Sequence, residues 1–133
     1  MHKPIHVATL AGQPLRFFRT PSDDGRPDLP WHAVEDLWRC LGLNRAQRHE
    51  LLRQMRLPAE VQTIATPDGI VTVAPHFVAQ GTIDDMIEMG LAPAKLSVEY
   101  DCAGAEACKK IAPPSFPDDA WLSWMREAMH RHG

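Results

Sequence analysis

The stretch VQTIATPDGIVTVA, residues 61–74, places two short runs rich in Val, Ile and Thr on either side of Pro67-Asp68-Gly69. β-Branched residues suit a pleated strand, and a Pro-Asp-Gly tripeptide suits a tight turn. The segment is therefore expected to form an antiparallel hairpin turning at residues 67–69. This is the clearest hairpin in the chain, and it sets strands beside helical segments.

Upstream, WHAVEDLWRCLGL (31–43) sets Val34, Leu37, Trp38 and Leu41 at the i, i+3, i+4, i+7 spacing of one helical face. Gly42 is expected to end that helix, because glycine tolerates the left-handed conformation found at helix C-termini. Asn44 is then a suitable N-cap for a second helix, which Pro58 stops. In that helix Leu51, Leu52 and Met55 are expected to face a core, with Arg48 among them. Further upstream, HVATL (6–10) and PLRFFRT (14–20) flank Gly12 and read as strands or one hairpin. SDDGRPDLP (22–30) is a loop by composition.

Downstream, a helix is expected from Pro75 to Met89, broken near Gly81 and restarted with Thr82 as its cap, with Gly90 closing it. Leu96, Tyr100, Ala103, Ala107 and Ile111 recur at helical spacing before Pro113-Pro114 ends the run. A proline-rich linker then leads to a short amphipathic helix carrying Trp121, Trp124 and Met125. The order of elements predicts a small mixed α+β domain with short antiparallel strands or hairpins and a helix–turn–helix-like pair. The expected division is 1–112 for the domain and 113–133 for linker and terminal helix.

With 133 residues, 44% of them hydrophobic and 23% charged, the chain can bury a core of its own. It contains no apolar run long enough for a membrane span, and its first residues lack the apolar core of a signal peptide. The three cysteines (Cys40, Cys102, Cys108) show no CxxC spacing, which predicts reduced thiols in a cytoplasmic protein.

Charge is distributed unevenly. The chain carries −3 overall, yet residues 39–56 hold five arginines against the single acid Glu50. On a helical wheel Arg45, His49, Arg53 and Arg56 form a basic stripe, with Arg39 and Arg48 beside it. Arginine suits phosphate or a guanine edge because its planar guanidinium donates two parallel hydrogen bonds. A local excess of positive charge against a negative whole points to an anionic partner.

The succession LRFFRTPSDDGRPDLPWHAVEDLWRCLGLNRAQR, then VQTIATPDGIVTVAPHFVAQGTIDDMIEMG, resembles the N-terminal domain of the BRO family of phage antirepressors and baculovirus repeated proteins. Trp31 stands at the family's aromatic position, Glu35-Asp36-Leu37 replaces its Asp-Val, Leu41-Gly42 supplies its Leu-Gly, and Asp68-Gly69 takes the place of its turn. The likeness covers roughly residues 14–90 and departs from the family in lacking its closing Trp-Val…Leu-Pro segment. It implies a DNA-binding regulatory role, in a stand-alone version of the domain of prophage or mobile-element origin.

Other chemistry finds less support. The seven histidines are scattered, with no HExxH and no zinc-finger cysteine pair, so neither a metal nor another cofactor is expected. The cysteines read as buried structural thiols. Asp23-Asp24, Asp84-Asp85 and Asp118-Asp119 read as a loop and two helix starts. No phosphate-binding glycine loop or GxSxG elbow occurs, and catalysis would need a pocket built from His32, His76 and an acid. The expected function is duplex-DNA binding through residues 44–57. The competing reading is a protein-interaction module whose arginine stripe meets an acidic partner. Trp121, Trp124 and Met125 offer a surface for packing in cis or for a homodimer.

Overall fold

The computed structural model describes residues 1–22, 25–54, 61–111 and 118–131. Its strands are β1 (His6–Leu10), β2 (Gln13–Phe18), β3 (Trp31–Ala33), β4 (Gln62–Thr66) and β5 (Gly69–Ala74). Its helices are α1 (Val34–Cys40), α2 (Arg45–Gln54), α3 (His76–Glu88), α4 (Lys95–Ile111) and α5 (Asp118–His130). The domain is α+β, with one five-stranded sheet in the order β1-β2-β3-β5-β4 and every neighbouring pair antiparallel.

Local chemistry explains both hairpins. Between β1 and β2 the two loop residues, Ala11 and Gly12, have φ of 51° and 80°. Positive values at both centres match a two-residue loop to the right-handed twist of its strands. Between β4 and β5, Thr66 pairs with Gly69, leaving Pro67-Asp68 as the turn. Thr66 Oγ1 donates to the Gly69 carbonyl at 2.7 Å and accepts from the Asp68 N–H at 3.2 Å. Residues 61–74 thus form the expected hairpin.

The first departure from expectation is at Trp31–Ala33, read from spacing as the start of a helix. Here it is a strand. His32 pairs with Phe17 on one side and Ala74 on the other, so three residues close the gap between the two hairpins. That pairing joins segments far apart in the chain and overrides local helical spacing. The second departure is α3, which runs unbroken through Gly81. Thr82 caps nothing; its hydroxyl donates back to the Val78 carbonyl at 2.9 Å. One exposed glycine costs a helix about 1 kcal/mol, and burial of Ala79, Ile83 and Met86 offsets that. Asp84 and Asp85 consequently lie on the exposed side of mid-helix, not at a helix start.

Both faces of the sheet are covered. Phe17 points to one side, where Leu15, Leu37, Ile83, Leu96 and Tyr100 join it under α3 and α4. Phe18, its neighbour, points to the other, with Trp31, Ile64, Val71 and Val73. A third cluster of Val34, Trp38, Leu43, Leu51, Ala74 and Met86 ties α1, α2 and α3 to the end of β5. The N-terminus also spans the sheet: Ile5 N–H donates to Phe17 O beside β1, and His2 N–H to Ala65 O on β4, both at 2.8 Å. With β1 and β4 at opposite edges, that short span draws the sheet into a curl.

A buried ion pair joins sheet to helix. Asp36 on α1, 3% exposed in its side chain, accepts from Arg16 Nε at 2.8 Å, Arg16 Nη2 at 3.0 Å and the Arg16 backbone N–H at 3.0 Å. The Asp36 hydrogen bond, set against desolvation, holds the Arg16 guanidinium pKa above its usual value.

Candidate nucleic-acid interface

The turn between α1 and α2 is built from three specific residues. Gly42 adopts φ 67° and its N–H reaches Arg39 O, closing α1 as the sequence suggested. Leu43 is 6% exposed and packs with Trp38 and Leu51, which fixes the angle at which the chain leaves α1. Asn44 then caps α2. Its Oδ1 accepts the Gln47 N–H, and Gln47 Oε1 accepts the Asn44 N–H, both at 2.9 Å. This reciprocal cap satisfies two amides otherwise without partners. Asn44→Ala is expected to lower stability by about 1 kcal/mol and to speed amide exchange at Gln47 and Arg48, read by hydrogen-exchange NMR alongside urea midpoints.

Advancing about 100° per residue, Arg45, His49, Leu52 and Arg53 fall on one side of α2, and Leu51 falls on the inward side. The exposure pattern agrees: Arg45, His49 and Arg53 are open to solvent and Leu51 is buried. Leu52 was expected in the core and is 45% exposed, in the middle of the basic stripe. The same wheel that locates the arginines places Leu52 among them, against its apolar character. Met55 and Arg56 lie outside the described residues.

The basic side chains differ in how far they are engaged. Arg53 Nη2 meets Glu50 Oε1 at 2.6 Å on the surface, and this hydrogen bond raises the Arg53 pKa. Arg39 Nη1 stands 3.5 Å from Asp36 Oδ1, sharing that carboxylate with Arg16. Arg48 is half-buried and donates from Nε to Leu43 O at 3.0 Å, which ties it to the turn. Arg45 and His49 have no hydrogen-bond or ion-pair partner among the described residues. Arg45 is also the first residue of α2, whose first turn contains no acid. A cation at a helix N-terminus is electrostatically unfavourable, and an approaching anion relieves that.

The opposite side of α2 has another character. With α3 it borders a groove of about 560 Å³, floored by Leu51, Met86, Met89 and Leu91 and edged by Glu50, Asp85 and Glu88. The positive face is therefore a stripe with an acidic border.

The residues considered for other chemistry are placed as follows. His32 is fully buried and its pKa falls to about 3, chiefly through desolvation, with His76 acting in the same direction and an Ala74 backbone contact opposing it. Tyr100 separates the two histidines: His76 stacks on it at 5.2 Å between ring centroids, and His32 meets it edge-on at 6.2 Å. The pocket needed for catalysis is thus split, since His32 is sealed in the core while His76 and Asp101 line a separate cavity. Among the described residues no three His, Cys, Asp or Glu side chains converge as metal ligands. Burial pushes the Cys40 and Cys108 thiols up to about 11, which suits structural thiols, whereas Cys102 is exposed, contrary to expectation.

The terminal helix packs on its own chain. Ala128 is 1% exposed, Met125 lines the same cavity as His76, and Arg131 Nη1 donates to Arg26 O at 3.4 Å. Met125 and half-buried Trp124 are therefore partly engaged in cis. The Trp121 side chain lies outside the described ones. Comparison with protein-family models, curated proteins and solved structures finds no match for this chain. Among the described residues no helix is long and apolar enough to cross a membrane.

Proposed function

We propose that the protein binds duplex DNA through the outer face of α2 and acts as a regulator of the BRO type. The observation that carries this reading is the pairing of Arg45 with His49: both are exposed, without partners among the described residues, and presented at the capped start of a helix that follows a tight turn. In helix–turn–helix proteins the N-terminal residues of the second helix enter the major groove. Arg45 and Arg48 would meet phosphates or a guanine edge, and His49 would donate alongside them. Leu52 supplies the apolar contact that reads a thymine methyl group. Arg53 takes part after leaving Glu50, and Arg39 lies on the α1 flank.

Affinity for a mixed-sequence duplex should fall steeply with rising salt, because each neutralised phosphate releases counterions. Arg45→Ala and Arg53→Ala should each weaken binding and flatten the slope of log K against log salt by about one unit. Glu50→Gln should strengthen binding at low salt, since it frees Arg53. Fluorescence-anisotropy titrations at two salt concentrations measure all of these. Failure to bind any duplex at low salt would sink the reading.

A second reading, a protein-interaction module, is favoured by the groove between α2 and α3. Its apolar floor and acidic edge resemble a peptide-binding surface more than a phosphate-binding one.

A further inference from the structure

Beneath α5 lies a second concavity, which shares no residue with the outer face of α2. Its volume is about 200 Å³. It is a surface concavity, bordered by the exposed residues Asp101, Ala105 and Met129. Leu29, Cys108, Met125 and Met129 give it apolar walls above the buried Phe17 ring, and its polar side chains are His76 and Asp101.

His76 has no hydrogen-bond partner among the described residues, so one donor and one acceptor of its ring remain unused. Burial holds it neutral by lowering its pKa, with Asp101 opposing. Behind it the Tyr100 hydroxyl and both ring nitrogens of His32 are buried without a well-formed hydrogen bond. Each such group costs about 1–3 kcal/mol, and a folded protein usually carries few of them, often at functional sites. A concavity with apolar walls, a few convergent polar groups and a perturbed histidine has the general composition of a small-molecule site.

We infer that the concavity beneath α5 binds a small arylalkylamine, its ring held between Leu29, Met125 and Met129 and its ammonium directed to Asp101 and His76. Three features set this class. The volume lies below the roughly 300–1,000 Å³ of sites for drug-sized ligands, so it admits one ring with a short arm. Methionine sulfur favours an aromatic face over an aliphatic chain. The Asp101 carboxylate accepts hydrogen bonds and attracts a cation, and the acceptor nitrogen of neutral His76 takes a second N–H. An anionic ligand would meet Asp101 with like charge. Met125 and Met129 both come from α5, so ligand binding requires this helix to be docked as described.

Phenethylamine, ethylbenzene and phenylacetate share one ring and differ in the charge of the arm, so they form the test set for the full chain. Isothermal titration and methyl NMR should show saturable phenethylamine binding, with the Met125 and Met129 methyl signals shifting. Ethylbenzene should bind roughly tenfold more weakly or less, the scale of one charge-assisted hydrogen bond, and phenylacetate should not bind. Asp101→Asn, at an exposed position, should reduce phenethylamine affinity by a similar factor. Ala105→Trp, also exposed and at the cavity wall, should abolish binding with the circular dichroism spectrum unchanged. Absence of saturable binding, equal binding of the three compounds, or binding indifferent to Ala105→Trp would each overturn the assignment. None of these outcomes depends on DNA binding, so this site and the α2 interface stand or fall separately.

Discussion

Replacing Asp36 with alanine should lower unfolding free energy by about 2–3 kcal/mol, below the full range for a fully buried ion pair because Arg16 is partly exposed. The reason lies in what remains. Arg16 is 22% exposed in its side chain and directs Nε, Nη2 and its backbone N–H at this one carboxylate. Without Asp36 these donors are only partly hydrated, and α1 loses its anchor to β2. Urea denaturation followed by circular dichroism measures the loss as a shifted midpoint with a similar slope. The double change Asp36→Leu with Arg16→Met should recover much of it, because an apolar pair leaves no charge unpaired. A loss below 1 kcal/mol in the single variant would show the pair to be a surface-like contact.

Stability should also fall on acidification, and His32 sets the pH window. Its pKa is about 3 in the folded protein against 6.5 for an ordinary histidine. Below pH 6.5 the unfolded chain takes up a proton that the folded chain refuses until about pH 3, so acid favours unfolding throughout that interval. Two pH units into the window the cost is about 3 kcal/mol, at roughly 1.4 kcal/mol per unit. His76, also lowered by burial, adds in the same direction. His32→Phe keeps an aromatic ring at the site and removes the titration. Comparing urea midpoints at pH 7 and pH 4.5, the variant should lose markedly less stability than the native protein. Equal losses in both would assign the acid sensitivity elsewhere.

Much of the architecture was legible because it is local. The hairpin at 61–74 depends on a turn tripeptide and its β-branched flanks, and both lie within fourteen consecutive residues. Gly42 and Asn44 act through conformation and a cap between residues three apart, so the helix pair and its basic stripe follow from composition and period alone. The exposure of Arg45, His49 and Arg53 on one side of α2 was accordingly legible in the sequence. Leu52 departs from the apolar-inward rule because its angular position on α2 lies on the outer side, where it is 45% exposed.

What the chain alone determined, then, was the hairpin at 61–74, the Gly42 stop and Asn44 cap between α1 and α2, and the concentration of arginine on one helix. Tertiary structure alone decided that Trp31–Ala33 is a strand, because its partners Phe17 and Ala74 lie far away in sequence. It also decided that Asp36 holds Arg16, twenty positions earlier, instead of reinforcing only its own helix. The gathering of His32, Tyr100 and His76 from β3, α4 and α3, and the cavity that α5 closes beside His76, belong to the same class. Hydrophobic period and capping act over one or two turns of chain, whereas sheet pairing, buried charge and cavity shape depend on which distant segments meet when apolar faces leave water.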